Sequence, residues 1–149
     1  MGICRIIPLG GLGEVGKNMT VYEFGDDAIV VDSGLAFPRD EHLGVDLILP
    51  DFGYLRQRER PVRAVILTHG HEDHVGSLPY LLREVRVDEI WATRLTLGLV
   101  KSKLDEHGLL RASELREIDP EAGQLVFGGH GHGSGSGMVE RARRLLGRA

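Results

Sequence analysis

The 149 residues predict an α/β protein built in layers, and three observations predict it. Two β-branched segments flank a Gly-Asp-Asp turn near the N-terminus and read as a hairpin. Beyond Pro61, strand-like apolar runs alternate with stretches of helical apolar spacing. The chain is also long enough to bury a real core, with 42% apolar and 27% charged residues. A hairpin followed by alternating units favours α/β layers over a purely parallel, doubly wound sheet.

Taken in order, Ile3 to Leu9 is a predicted strand that ends in the Gly10-Gly11 turn. Met19 to Phe24 alternates and carries Thr20, Val21 and Tyr22. After the turn at Gly25-Asp26-Asp27, Ala28 to Val31 is its hairpin partner. Residues 33–52 mix Gly, Pro and acids with little periodicity, so they are expected to be a long loop, a kind that tends to carry function. Tyr54 to Glu59 is expected as a short helix stopped by Pro61. Val62 to Leu67 is the next strand, followed by helical spacing at Val75, Leu78, Leu81 and Leu82. Glu89 to Ala92 is a short strand. Leu97, Val100 and Leu104 mark a helix face ending near His107-Gly108, with the glycine suited to the C-terminal cap. Leu115 to Ile118 and Leu125 to Phe127 complete the predicted strands. Residues 129–149 differ in kind: a Gly/Ser/His-rich linker leads into a short basic tail, so residues 1–128 are the folded unit.

Bulk properties narrow the setting. No apolar run approaches the ~18 residues of a membrane span, and no signal stretch opens the chain. The single Cys4 cannot form an intrachain disulfide, so a reducing, cytoplasmic protein with no membrane contact is expected. A net charge of −4 excludes a broad basic surface; any polyanion must be held by local cations, such as metal ions.

The densest chemistry is "LTHGHEDHVG", residues 67–76, which spends three of the chain's 7 histidines beside two acids. On a loop leaving a strand, His69 and His71 can turn both imidazoles to one ion. Asp73 and His74, at a helix start, can face a second. Such donors suit zinc or manganese, and the lack of nearby cysteines argues against a closed structural zinc site. Two ions sharing a water lower its pKa and offset charge on a phosphate under attack, so hydrolysis is the natural chemistry. A bland alternative makes Asp73 a helix-start acid favoured by the dipole, but that leaves three histidines unexplained. Asp32, at the end of a buried strand, is expected to accept from the outer N–H of a ligating histidine, against the alternative that it caps its turn.

One rival motif is present. "GLGEVG", residues 11–16, matches G-x-G-x-x-G, with Asp32 at a fitting distance for a dinucleotide site. That site needs a helix directly after the glycines, whereas "KNMTVYEFGDDAIVV" reads as a hairpin. Tight turns explain the glycines better.

The pattern His69-X-His71-X-Asp73-His74 resembles the metal signature of the metallo-β-lactamase superfamily. With "LGGLGEVGKNM" (9–19), "DEHLGVDLILPD" (40–51) and "TRLTLGLVKSKLDEHGLL" (93–110), the chain resembles the N-terminal part of the ribonuclease J family, in the β-CASP branch. The resemblance runs from about Ile6 to about Gly128 and implies an αββα sandwich with two metal ions at one edge. It implies a metal-dependent ribonuclease, exonuclease and endonuclease, acting in RNA processing and decay. In that reading His69 and His71 hold the first ion, Asp73 and His74 hold the second and act in catalysis, and an activated water attacks phosphorus in line. It further implies a calcium site at the Gly44 carbonyl and the Asp46 carboxylate, with a solvated Asp46 as the plain alternative. Single-stranded RNA and a homo-oligomer or ribonuclease complex are the implied partners.

The same resemblance implies further histidine and aspartate ligands and an RNA-channel domain beyond the position of Phe127, where this sequence has "GGHGHGSGSGMVERARRLLGRA". The expectation is an incomplete sandwich, weakly active or inactive by itself, with an uncovered sheet edge prone to association. His130 and His132 are poor substitutes, because ordering glycine-rich chain costs backbone entropy at every residue. Other hydrolases of the fold, acting on thioesters or lactams, and a non-catalytic metal- or RNA-binding module stay open. The tail residues Arg141, Arg143, Arg144 and Arg148 are read as a solvated helix face ahead of an RNA contact.

Overall fold

The structure is a computed structural model that describes residues 3–39, 42–119 and 121. Its described elements, in chain order, are β1 (Cys4–Gly10), β2 (Met19–Phe24), β3 (Asp27–Val31), α1 (Gly53–Arg56), β4 (Val62–Ile66), α2 (Glu72–Val75), α3 (Leu78–Glu84), β5 (Val87–Ala92), α4 (Arg94–Glu106) and β6 (Glu114–Glu117). The strands form one six-stranded sheet in sequence order. β1, β2 and β3 run antiparallel as a meander, whereas β3 through β6 are mutually parallel, each pair joined across helical chain. The expected α/β class therefore holds, with a mixed sheet.

Strand register explains where the core sits. The row Ile7, Val21, Val30, Val65, Ile90, Leu115 crosses all six strands on one face. Every member belongs to or packs on a single apolar cluster, completed by Leu55 of α1, Val75 of α2, Leu78 and Leu81 of α3, and Leu97, Val100 and Leu104 of α4. Burying each such Leu or Val contributes roughly 1.5–3 kcal/mol against chain entropy. The adjoining row, Ile6, Tyr22, Ile29, Ala64, Glu89, Glu114, points the other way and contributes nothing to that cluster. Helices thus cover one face of the sheet. The second sheet of the expected sandwich is not among the described residues.

Several boundaries depart from expectation. The helix predicted over Tyr54 to Glu59 is the single turn Gly53–Arg56. The helical stretch after the histidines is split into α2 and α3, because Gly76 and Ser77 interrupt it. A Cβ on Gly76 would collide with the Leu35 side chain and the Glu72 carbonyl. The 33–52 loop is tied down by an isolated bridge between Ala36 and Ile48. As predicted, α4 ends near His107, which caps its last residue Glu106, and Gly108 adopts a left-handed φ of 69°. No helix among the described residues is long and apolar enough to cross a membrane. The predicted strand Leu125 to Phe127, the boundary at residue 128, His130, His132 and the basic tail lie outside the described residues.

Candidate metal centre

The carboxyl ends of parallel strands are where α/β sheets place ligands, because the connections there splay apart. Asp32 follows β3 directly, and Thr68 through His74 follow β4. The two connections are laced together by backbone hydrogen bonds. Ser33 N–H donates to His74 O at 2.7 Å, Leu35 N–H to Glu72 O at 3.0 Å and Ser77 N–H to Ser33 O at 3.0 Å. A third segment joins them: Asn18 N–H donates to Asp73 O at 3.1 Å, and Gly34 N–H to Asn18 O at 3.0 Å. Packing is so close that a Cβ on Gly34 would collide with the Asp73 carbonyl. The glycine-rich 10–18 stretch and the long loop are thus the scaffold of the histidine segment.

Within this mesh, His69, His71 and Asp73 offer ligand atoms that all lie within 4.8 Å of one another. Among the described residues it is the one such group of His, Cys, Asp and Glu. His74 adjoins it, with its ring 4.0 Å from that of His69 and its Nε2 3.4 Å from Asp73 Oδ2. His71 is the N-cap of α2, in extended backbone, which turns the chain between the histidines and the helix. Asp73 therefore stands between the first two histidines and His74. Two imidazoles and a carboxylate around one point fit a divalent cation of the zinc or manganese type.

Asp32, only 6% exposed, sits behind these residues. Its Oδ2 lies 2.8 Å from His74 Nδ1, and its Oδ1 accepts the Thr68 N–H at 2.8 Å. The Thr68 hydroxyl lies 2.9 Å from Asp32 Oδ2 and 3.0 Å from His69 Nδ1. A carboxylate only accepts, so His74 donates through Nδ1–H and keeps its Nε2 lone pair free. By the same accounting the hydroxyl donates to Asp32 and accepts from His69 Nδ1–H, leaving His69 Nε2 free as well. One buried carboxylate thereby fixes the tautomers of two imidazoles.

The described residues hold two non-glycine residues at positive φ, and both belong to this scaffold: Lys17 at 52° and Asp32 at 62°. Such backbone costs about 1–3 kcal/mol per residue and persists where surrounding contacts impose it, often at functional sites. The sequence reading missed Thr68 and Asn18. The Asn18 amide lies 3.0 Å from Asp73 O, 3.3 Å from Asp73 Oδ2 and 3.4 Å from His74 Nε2. Its signal in the sequence was its place beside the glycine motif, which pointed to a different ligand. No helix follows those glycines; β1 turns back into antiparallel β2. Gly44, at φ 77°, and Asp46 lie in an exposed part of the long loop, and neither joins the His69 group.

A cavity of about 370 Å³ lies at the opposite end of the sheet, between Arg5, Glu23, Asp26, Tyr54, Arg58 and Arg60. Glu23 is buried there and receives Tyr54 OH at 2.7 Å and the Arg58 guanidinium. The bond to the Glu23 carboxylate, more than burial, raises the Tyr54 pKa above its ordinary 10.0.

The profile of the Metallo-beta-lactamase superfamily matches residues 12–144. Ribonuclease J of Thermus thermophilus is 50% identical over 122 residues, a match spanning 78% of this chain and 21% of the relative. Ribonuclease J2 of Bacillus subtilis is 47% identical over 114 residues, covering 76% and 20% of the two chains. The chain thus spans about a fifth of the length of these curated relatives. Among solved structures, a diphosphatase from the PhnP family superposes with a TM-score of 0.50 at 18% identity, covering 73% of this chain and 39% of that one. That likeness is one of fold.

Proposed function

The chain belongs to the metallo-β-lactamase superfamily, and on that premise we propose that it carries the metal-binding segment of an RNA phosphodiester hydrolase of the ribonuclease J kind. The observation that carries this reading is the convergence of the His69, His71 and Asp73 ligand atoms within 4.8 Å, at the carboxyl ends of parallel strands. The ribonuclease J relatives, at 50% and 47% identity, favour RNA over thioester or lactam substrates. Divalent ions held there would activate water and offset phosphate charge.

In this reading His69, His71, Asp73 and His74 would hold the metal. Asp32 and Thr68 orient His74 and His69 by holding both Nδ1 atoms. Catalytic zinc sites take three protein ligands each, so two ions call for about six donors, or five with one shared. His69, His71 and Asp73 converge within 4.8 Å, so the described residues can hold one ion, loosely.

The test pairs metal-dependent cleavage of 5′-monophosphorylated single-stranded RNA with hydrolysis of a thioester and a β-lactam. The reading expects manganese- or zinc-dependent RNA cleavage, slow in the wild type and absent in His71→Ala. Faster turnover of either small substrate would replace RNA as the substrate. Metal binding without any cleavage would leave the chain a non-catalytic metal-binding module.

A further inference from the structure

The amide nitrogen of Asn18 forms a triangle with two candidate ligand atoms: 3.3 Å to Asp73 Oδ2, 3.4 Å to His74 Nε2, and 3.4 Å between those two. A carboxamide nitrogen has two hydrogens and no free lone pair, so it cannot itself ligate a cation. One hydrogen is committed to the Asp73 carbonyl at 3.0 Å, in line with the backbone N–H that reaches the same oxygen at 3.1 Å. The other faces Oδ2 and Nε2 together. His74 Nε2 presents a lone pair on that side, because its Nδ1–H is taken by Asp32 at 2.8 Å. Nε2 has a single lone pair, which a bound cation would take, whereas Oδ2 has lone pairs to spare, so this hydrogen can hold Oδ2 and leave Nε2 to the cation.

We propose that Asn18 is a positioning residue that holds the Asp73 carboxylate beside His74 Nε2, so that its side chain sets divalent-cation affinity at that pair. The inference rests on the reading of the His69–His74 segment as a metal centre. Its reach comes from the left-handed Lys17, which precedes Asn18 at φ 52° and delivers it across 55 positions of sequence to Asp73. Backbone bonds secure the segment separately, since Asn18 N–H to Asp73 O and Gly34 N–H to Asn18 O use no side-chain atoms. Asn18→Ala should consequently keep these backbone bonds and lose the side-chain hold on the Asp73 carbonyl and carboxylate.

The test is calorimetric titration of the full chain with zinc and with manganese, for wild type and Asn18→Ala. Thermal melts of both proteins in excess chelator accompany it. A positioning role predicts affinity about 10–100-fold weaker in the variant, the range seen when partners of metal ligands are removed. It also predicts chelator-treated melting midpoints that agree within about 2 °C. Equal affinities in the two proteins would overturn the role of Asn18 and leave the metal centre standing. A variant whose midpoint in chelator falls well below wild type, or that does not fold, would make Asn18 a structural strut and overturn the proposal. A wild type that takes up neither metal would remove the premise itself.

Discussion

Asp32 is the residue on which two imidazoles converge, and its replacement isolates that role. Asn at this position retains the shape but cannot accept from Thr68 and His74 through both oxygens. Asp32→Asn is expected to weaken zinc affinity about 10–100-fold, measured by competition with a chromophoric chelator; unchanged affinity would leave Asp32 a turn residue. Gly34 tests the backbone mesh. An added methyl has nowhere to go but into the Asp73 carbonyl, so Gly34→Ala should cost about 3 kcal/mol in urea unfolding. The histidine cluster was legible in sequence because its members share six consecutive positions. Asp32 was legible as an acid ending a buried strand. Asn18 and Thr68 were not, because what defines them is contact through space: Asn18 lies 55 positions from Asp73, and Thr68 lies 36 from Asp32. The left-handed backbone at Lys17 and Asp32 had no signal either, since neither is a glycine.

Among the elements, α1 and the turn after it brace the end of the sheet remote from the histidines. Glu23 of β2 and Arg58 form a buried ion pair, with side chains 7% and 14% exposed, and Tyr54 of α1 donates to the same carboxylate. Removing Arg58 leaves the Glu23 carboxylate with Tyr54 at 2.7 Å and the more distant Arg5 at 3.9 Å. Arg58→Met should therefore destabilise the fold by at most about 3 kcal/mol, while the double variant with Glu23→Gln should lose less. Chemical denaturation of the three variants decides it; equal losses would contradict a coupled pair. Tyr54 adds a pH signature. Its folded pKa is raised above 10.0, so its contribution is complete below the unfolded value and lost as pH rises through the folded one. Tyr54→Phe should be less stable than wild type at about pH 8, with the gap narrowing by about pH 11. Sequence periodicity overextended α1 and merged α2 with α3. Pro61 gave a stop signal, but the packing that leaves no room for a side chain at Gly76 comes partly from Leu35, in another segment.

For the whole molecule, the hairpin and the later strand-helix alternation were enough to give the layered α/β class. The order of the six strands was not readable, because it depends on the meander handing over to parallel pairing at β3 and β4. That handover matters to function: it sets the carboxyl ends of β3 and β4 side by side, so that Asp32 meets Thr68 and His74. Everything proposed for RNA follows from a cation being held at that junction. The most direct measurement is elemental analysis of the purified chain after loading with zinc or manganese and removal of free ion. The account predicts about one ion or more retained per wild-type chain and a sharp loss in His71→Ala. Wild-type protein that retains neither metal, or a variant that retains as much as wild type, would contradict it.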